Sequence, residues 1–243
     1  MLNDDDAKAV RGLVTLQPGA VAGPIAAAEY RRCRIDEADY LFALAGSGDP
    51  VLLLHGFPQT HHCWRASIRD LSESHTVVAA DLRGYGASSA PEAGPHGEGS
   101  SKREMALDLV ALMEALGFGR FAVVGHDRGA RVAYRMALDH PERVERLAVL
   151  NVIPTVDQFE RMAGGPSLGY WPWFLLALPA PFPEQLITAA PEQFLRFIFD
   201  TWTAEPGVID EDAFRVYLDA FAPSAAAIGG KAHIVAVPRF CWF

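Results

Sequence analysis

The segment 125–129 constrains the fold of this chain more than any other part of its sequence. It reads Gly-His-Asp-Arg-Gly, with Asp127 at its centre, and lies between the apolar run 121–124 and a helical pattern over 130–138. Two glycines around a central side chain, between a strand and a helix, are typical of the sharp turn that presents a nucleophile above a sheet. Most such turns carry serine, whereas an aspartate attacks carbon and forms an ester that water must later open. The alternative is a surface-loop aspartate, which the two glycines after a buried strand disfavour.

Composition and charge narrow the class of protein and its partners. The chain has 243 residues, of which 50% are hydrophobic and 21% charged, as is ordinary for one globular domain. The net charge of −9 argues against nucleic acid or an anionic membrane as a partner. The spacing of Cys33, Cys63 and Cys241 predicts reduced thiols. Aspartates at positions 4–6 have the wrong sign for a secretory leader, and no run of ~18 apolar residues predicts a membrane span. We therefore expect a cytoplasmic protein.

Residues 30–154 alternate between strand-like and helix-like segments. Strands are predicted at 31–35, 40–45, 51–54, 76–80, 121–124 and 146–152, helices at 62–71, 102–116 and 130–138, and a loop at 84–100. This alternation predicts an α/β core, with a mostly parallel sheet and helices on both of its faces. Residues 1–29 have no clear hydrophobic period and are predicted to be a loose N-terminal extension.

Residues 155–228 differ in character from the segment before them. They show no strand–helix alternation and carry many large aromatic residues in helix-like segments, among them Trp171 and Trp173. Such a segment taken alone is most often a helical core. Because it follows a strand of an α/β sheet, it predicts an inserted helical cap that closes over the site.

Several sequence blocks give the chain a family resemblance. They are His-Gly-Phe-Pro-Gln at 55–59, Asp-Leu-Arg-Gly-Tyr-Gly at 81–86, the segment 125–131, Tyr-Trp-Pro-Trp at 170–173 and Pro-Ala-Pro at 179–181. Through these blocks the chain, from about residue 30 to about residue 226, resembles the haloacetate (fluoroacetate) dehalogenase group of α/β-hydrolases, which is related to epoxide hydrolases. The resemblance implies an α/β-hydrolase fold and a short halogenated carboxylic acid as the substrate. It also implies chemistry without a metal or an organic cofactor, and a homodimer as the candidate assembly.

Chemistry and resemblance together assign roles to four residues near the predicted turn. Asp127 is the nucleophile, and the backbone amides of Phe57 and Arg128 are oxyanion-type donors. The side chains of Arg128 and Arg131 can share one helix face, where a guanidinium pair suits a substrate carboxylate. Epoxide hydrolases usually carry an aromatic residue after the nucleophile, which has no reason to bind an anion. A solvated or salt-bridged helix start is the alternative for the two arginines.

Trp173 matches the cap tryptophan that donates an indole N–H to the leaving halide in this group. Indole is a donor without acceptor function, so it suits a developing anion. The residue before it is Pro172, whereas fluoride-cleaving relatives carry histidine there. This difference favours a larger, more polarisable halide over fluoride. A plain core tryptophan is the alternative.

The groups needed for ester hydrolysis are less clear in the sequence. The order in this fold is nucleophile, acid and histidine, and of the eight histidines only His233 follows the predicted cap. His233 is thus the candidate base, although residues 231–235 resemble a strand start and not the Gly-His-Phe loop of the family. Asn151 stands at the acid position, where relatives in this group carry aspartate. An amide can orient an imidazole but supplies no charge to stabilise the imidazolium.

The predicted C-terminal segment is short for this fold. Beyond the cap the fold needs two more strand–helix units of ~30 residues each, whereas 229–243 is an atypical tail. We therefore expect that C-terminal strands are missing through truncation, frameshift, sequence error or divergence. The predicted function is hydrolytic cleavage of the carbon–halogen bond of a 2-haloacetate-like acid through an aspartyl ester, without turnover if no base is present. An epoxide hydrolase and a non-catalytic remnant or binding protein are the alternatives.

Overall fold

The computed structural model describes residues 8–17, 20–21, 23–89, 101–161, 165–179, 181–205 and 207–226. The chain divides into two compact units, the first within residues 1–91 and 102–152 and the second within 92–101 and 153–243. The candidate base His233 and the tail 229–243 lie outside the described residues, as does the segment 90–100 of the predicted loop.

The first unit is built on a seven-stranded sheet. Its strands are β1 (Val10–Leu16), β2 (Glu29–Ile35), β3 (Ala38–Ala45), β4 (Asp49–Leu54), β5 (His75–Ala80), β6 (Phe121–His126) and β7 (Val144–Leu150). The strand order is β1-β2-β3-β5-β4-β6-β7. Strands β5, β4, β6 and β7 run parallel, and β1, β2 and β3 continue the sheet in antiparallel pairings. The prediction of an α/β fold with a mostly parallel central sheet is confirmed.

Helices cover both faces of the central strands, which explains their continuous apolar sequences. The helices of this unit are α1 (Arg65–Leu71), α2 (Lys102–Ala115) and α3 (Arg128–Asp139). On one face, Leu53 of β4 and Val77 of β5 belong to a buried cluster with Trp64 and Ile68 at the start of α1. Helix α3 packs against β4, β6 and β7. Because both faces are covered, Leu52 and Leu53 are both fully buried although they point in opposite directions.

The prediction that residues 1–29 are only a loose extension is wrong for one segment, because Val10–Leu16 forms strand β1. Its side chains are almost all exposed, so neither alternation nor helical spacing of apolar residues marks it in the sequence. Backbone pairing with β2 holds the strand. Just before it, Lys8 Nζ lies 3.0 Å from a carboxylate oxygen of Asp36 and 2.9 Å from one of Glu104. Long-range contacts therefore order this segment.

Other element boundaries agree with the sequence to within a few residues. The helix predicted at 102–116 is α2, and it ends before Gly117, whose φ of 88° is the left-handed conformation common after helices. The strand predicted at 146–152 is β7, which begins and ends two residues earlier. The helix predicted at 62–71 is a 3₁₀ turn, His61–Trp64, followed by α1.

The described part of the second unit is helical. Its elements are α4 (Thr155–Arg161), a 3₁₀ turn (Gly165–Tyr170), α5 (Trp171–Leu176), α6 (Phe182–Ala189), α7 (Pro191–Trp202) and α8 (Glu211–Ala226). Aromatic contacts join α7 to α8: Phe194 stacks on Phe221 at 5.9 Å, and Phe199 meets Phe214 at 6.2 Å. The aromatic residues of this region thus include a packed helical core. Within the described residues, no helix is long and apolar enough to cross a membrane.

We predict that the exposed edge at β7 makes this chain self-associate. Within the described residues, β7 pairs with β6 alone, and Leu147, Val149 and Leu150 are 42–43% exposed. An uncovered apolar edge strand pairs readily with other chains. Leu147→Lys should therefore lower the fraction of oligomer, measured by light scattering across a concentration series.

A matched control is Leu138→Lys in α3, which places the same charge on an exposed helix surface, where Leu138 is 69% exposed. It should leave self-association nearly unchanged. Equal effects from both variants would show that general surface hydrophobicity, and not the strand edge, drives association. A wild-type chain that stays monomeric throughout would contradict the prediction directly.

Candidate active site

The turn between β6 and α3 gives Asp127 an unusual backbone conformation. Asp127 is the first residue after β6 and the N-cap of α3, with φ of 47° and ψ of −110°. A positive φ is rare for residues other than glycine and clusters at functional sites. This is the strand–turn–helix context that the sequence motif requires, and Asp127 lies at its apex.

The two glycines of the motif are required by close backbone contacts. A Cβ on Gly129 would collide with the carbonyl oxygens of Leu54 and His55 at the end of β4. A Cβ on Gly125 would lie 2.5 Å from the Cα of Ala130 and would collide with the Gly129 carbonyl oxygen. The turn therefore closes only because both positions lack a side chain.

The loop after β4 brings a backbone donor to the Asp127 carboxylate. The N–H of Phe57 donates a hydrogen bond of 2.9 Å to Asp127 Oδ2. The residue before it, Gly56, lies so close that an added Cβ would be 2.6 Å from Asp127 Cβ. The structure thus brings together Phe57 and Asp127, as the sequence predicts. The roles of the Phe57 and Arg128 amides as oxyanion-type donors stay predictions.

Two buried side chains hold this loop and the loop after β5 in place. His55 Nε2 accepts a hydrogen bond of 3.0 Å from the N–H of Leu82, and its Nδ1 lies 2.9 Å from the Gly56 carbonyl oxygen. Burial lowers the pKa of His55 to about 4, so the ring is neutral at pH 7. Asp81 accepts hydrogen bonds from the N–H groups of His61 and Ala87 at 2.8 and 3.0 Å. The two loops are therefore cross-linked beneath the turn.

Arg128, directly after Asp127, has a guanidinium near two aromatic rings. Its Cζ lies 5.9 Å from the ring centre of Phe57 and 5.7 Å from that of Tyr85. Its Nη1 is buried, and no acceptor within the described residues takes a hydrogen bond from it. A buried guanidinium nitrogen normally has a partner, so this atom indicates a place for an acceptor from outside the described residues.

Arg131 is buried one helical turn later, with 7% of its surface exposed. Burial lowers the pKa of its guanidinium, and the attraction of Asp127 opposes that shift. Arg131 also shares a hydrogen bond with Tyr134. Arg131 therefore interacts electrostatically with both Asp127 and Arg128.

Tyr85 is a neighbour of this group that the sequence analysis quoted within a block but gave no role. It follows Gly84, in the loop after β5, and its hydroxyl is buried without a hydrogen-bond partner among the described residues. The available signal in the sequence is an aromatic residue between two glycines. In the structure, both of these glycines, Gly84 and Gly86, have positive φ values. That signal marks a tight turn but does not say where the ring points.

Two of the remaining predicted site residues, Asn151 and Trp173, lie within the described residues. Asn151 directly follows β7, with φ of 55°, and the N–H of Asp127 donates to the carbonyl oxygen of the preceding residue, Leu150, at 3.1 Å. In the described part of the chain, the Asn151 side chain hydrogen-bonds no histidine. Trp173 lies in α5 of the second unit, where its ring meets those of Phe159 and Tyr170 at 5.9 and 5.6 Å. The roles of Asn151, His233 and Trp173 stay predictions.

The described residues contain no cluster of three or more histidine, cysteine, aspartate or glutamate side chains that could hold a metal ion. The arrangement offers a carboxylate on a residue with an unusual backbone conformation, a backbone donor to one of its oxygens, and arginines one and four residues further along the chain. A carboxylate held in this way can attack an electrophilic carbon, and the guanidinium groups can orient an anionic substrate.

Comparison with known families gives a match over most of the chain. Residues 49–243 match the family model described as the alpha/beta hydrolase fold. A solved structure of a candidate alpha/beta hydrolase from Nostoc sp. PCC 7120 is similar, with a TM-score of 0.82 and 42% identity. The similarity covers 87% of this chain and 72% of that one.

Two curated relatives carry more specific names. The fluoroacetate dehalogenase of Burkholderia sp. is 46% identical over 177 residues, which are 72% of this chain and 58% of that protein. The soluble epoxide hydrolase of Corynebacterium sp. (strain C12) is 45% identical over 113 residues, which are 46% of this chain and 38% of that protein. The chain thus spans little more than half, or less, of the length of these relatives.

We predict that Gly56 is needed for the stability of the turn. Gly56→Ala should lower the free energy of unfolding by about 1–3 kcal/mol, because the new Cβ would be forced against the Asp127 side chain. Urea denaturation followed by circular dichroism measures the change.

The control is Gly119→Ala, since its Cβ would meet only the Arg143 Nη1, at 3.9 Å. Its unfolding free energy should stay within about 0.5 kcal/mol of the wild type. Equal losses in the two variants would assign the effect to glycine replacement in general and would remove the contact with Asp127 as its cause.

Proposed function

The chain belongs to the α/β-hydrolase fold family, and on that premise we propose that it cleaves the carbon–halogen bond of a short 2-halocarboxylic acid. Asp127 is the nucleophile, and Arg128 and Arg131 bind the carboxylate of the substrate. The fluoroacetate dehalogenase among its relatives supports this class of reaction.

The observation that carries the proposal is the missing hydrogen-bond acceptor, among the described residues, at the buried Nη1 of Arg128. The Cζ of Arg128 lies 5.9 and 5.7 Å from the ring centres of Phe57 and Tyr85. A substrate carboxylate would supply the acceptor that Arg128 lacks there, because guanidinium groups bind carboxylates through paired hydrogen bonds. A neutral epoxide has no such pair of charged oxygens.

The first step follows from the position of Asp127. One carboxylate oxygen attacks the halogen-bearing carbon, a carbon–oxygen bond forms, and the halide leaves with the electron pair of the broken bond. The arginines hold the substrate carboxylate and thereby aim the carbon at Asp127. The product is an ester between Asp127 and the acid.

A second step would be needed to return the enzyme to its starting state. Water would attack the ester carbonyl carbon of Asp127 while a base took a proton from that water. The bond from this carbon to the ester oxygen would then break, and the departing oxygen would take the proton, which releases the 2-hydroxy acid and the Asp127 carboxylate. The N–H of Phe57 already donates to one Asp127 oxygen and is proposed to stabilise negative charge on that oxygen as it develops. His233 is the one candidate for this base, but its sequence context differs from the Gly-His-Phe loop of the family, so we expect the second step to fail. Asn151 is proposed to stand where relatives carry the acid. Trp173 is proposed to donate to the halide, on the family resemblance alone.

An epoxide hydrolase is the second candidate, because the chain also resembles a soluble epoxide hydrolase. That reaction shares the aspartate nucleophile but opens a neutral ring. The buried Arg128 Nη1, which has no acceptor among the described residues, favours the haloacid. A protein that binds a carboxylate without chemistry is the remaining alternative.

We predict that recognition depends on the substrate carboxylate. Chloroacetate should raise the melting temperature of the Asp127→Asn variant, whereas chloroacetamide, its neutral counterpart, should not. Differential scanning fluorimetry at matched concentrations measures both shifts. Equal shifts from the two compounds would rule out carboxylate binding as the basis of recognition.

Replacement of Arg128 tests the same contact. Arg128→Gln should abolish most of the chloroacetate shift, because it removes a charge-assisted hydrogen bond to the ligand. The control is Arg120→Gln, at the opposite end of β6 and 63% exposed, with a side chain paired to Glu145. This variant should keep the shift. Loss in both variants would point to a general charge effect.

We predict that excess bromoacetate leaves one ester on Asp127 per chain. Displacement needs only the carboxylate and an oriented substrate, whereas hydrolysis needs a base, for which His233 is the sole proposal. Intact-mass spectrometry with peptide mapping locates the ester, and halide release should stop near one equivalent. Asp127→Asn should give neither product.

Three outcomes separate the candidates. Sustained halide release would contradict ester accumulation, and its loss in His233→Gln would identify the base. Consumption of a styrene-type epoxide without alkylation by bromoacetate would favour the epoxide hydrolase. Binding of chloroacetate without any product would leave a binding protein.

A further inference from the structure

Tyr85 is held rigidly beside the Asp127–Arg128 turn. Its N–H donates to the Leu82 carbonyl oxygen at 2.8 Å, and its own carbonyl oxygen accepts from the N–H of Ser88 at 2.9 Å. Its ring packs edge-on against His55 at 5.3 Å. Both nitrogens of the His55 ring contact backbone groups, and these contacts fix the ring against which Tyr85 packs.

The hydroxyl of Tyr85 is buried and has no hydrogen-bond partner among the residues that the structure describes. Only 5% of the residue is exposed, and Tyr85 Oη has no hydrogen bond within the described part of the chain. Buried polar atoms are normally paired, and one left unpaired costs the free energy of its lost hydration. A phenylalanine would fill the same space without that cost. A role in binding a ligand would explain why a hydroxyl is present at this position.

A second unpaired polar atom lies in the same neighbourhood. Arg128 Nη1 is buried and also lacks an acceptor among the described residues, and Arg128 Cζ is 5.7 Å from the Tyr85 ring centre. A guanidinium has donors and no acceptor, and a protonated phenol also has a hydrogen to donate. No hydrogen bond between these two atoms is present. One external acceptor with two oxygens, such as a carboxylate, would satisfy both donors.

We propose that Tyr85 Oη donates a hydrogen bond to the substrate carboxylate that Arg128 binds, so that Tyr85 determines specificity for a carboxylic acid over its neutral analogues. The inference rests on the proposed function, because it deepens the role of the carboxylate site. It concerns recognition of the acid group and assigns Tyr85 no part in bond breaking.

The protonation state of Tyr85 agrees with this role. Burial raises the pKa of its phenol to about 12, with Arg128 opposing that shift and Asp127 adding to it. The phenol therefore keeps its proton across the ordinary working range of pH and can donate. A phenolate would instead repel the substrate.

The test is the Tyr85→Phe variant, which removes only the hydroxyl. The readout is the rate of alkylation of Asp127 by chloroacetate divided by the rate with chloroacetamide, each followed by intact-mass spectrometry. We expect this preference to fall about tenfold, the size of one hydrogen bond to a charged group. The melting temperature without ligand should not fall, because the lost hydroxyl has no partner in the described residues.

The matched control is Tyr30→Phe. Tyr30 is also buried, at 2% exposure, but its hydroxyl accepts a hydrogen bond of 2.7 Å from the N–H of Ile25. This variant should lose stability and keep the preference for chloroacetate. The two phenol deletions are thus expected to have opposite patterns, which a merely structural role for Tyr85 would not produce.

A further measurement separates the acid group from the leaving group. Tyr85→Phe should leave the ratio of bromoacetate to chloroacetate rates unchanged, whereas a changed ratio would show that the hydroxyl serves the halide and would overturn the proposal. In the Arg128→Gln background, Tyr85→Phe should lower the preference by much less than tenfold, since the shared carboxylate is then already misplaced. Full additivity of the two changes would contradict a shared acceptor.

The outcomes also distinguish this inference from the proposed function. If the wild type reacts equally with chloroacetate and chloroacetamide, the carboxylate site itself is wrong. If the wild type prefers chloroacetate and Tyr85→Phe keeps that preference, the carboxylate site stands and the role of Tyr85 is wrong.

Discussion

The close approach of helix α3 to the carboxyl end of strand β4 is the contact on which the rest of the site depends. Gly129 brings the start of the helix against the carbonyl oxygens of Leu54 and His55, where no side chain would fit. Two residues earlier, Asp127 has a positive φ at the apex of the same turn. The loop after β4 lies close enough for Phe57 to donate to the Asp127 carboxylate. The Asp127 carboxylate and its backbone donor thus lie where the helix start and the end of β4 meet.

The electrostatics of the site follow from burying charged groups around that turn. Arg131 interacts electrostatically with Asp127 and Arg128, and burial lowers the pKa of Arg131. Buried charged and polar groups are stable only where opposite charge or hydrogen bonds compensate for their burial. Arg128 Nη1 and Tyr85 Oη are two atoms for which the described residues leave that compensation incomplete. An anionic ligand with two oxygens is the simplest chemical group that completes it.

The loops and strands around the site differ in how well their side chains are buried and hydrogen-bonded. The loops that carry Phe57 and Tyr85 are joined by His55 and Asp81, whose hydrogen bonds are buried and therefore poorly replaced by water. At β7, in contrast, apolar side chains such as Leu147 and Val149 are exposed. Because Asp127 N–H donates to the carbonyl oxygen at the end of β7, disturbance of that strand would reach Asp127. Stability at this edge and chemistry at the turn are therefore linked.

The sequence by itself determined the features that local physics controls. Glycines at 125 and 129 around Asp127, after an apolar strand, are compatible with few turns other than the one observed, and apolar runs such as 51–54 mark strands buried on both faces. Only the tertiary structure decided the rest. Strand β1 is held by pairing with β2 and by Lys8 contacts that no local pattern shows. Likewise, Tyr85 joins the site because the β5 loop folds back beside Arg128. Contacts between residues distant in the chain depend on how elements pack, and spacing along the chain does not record that packing.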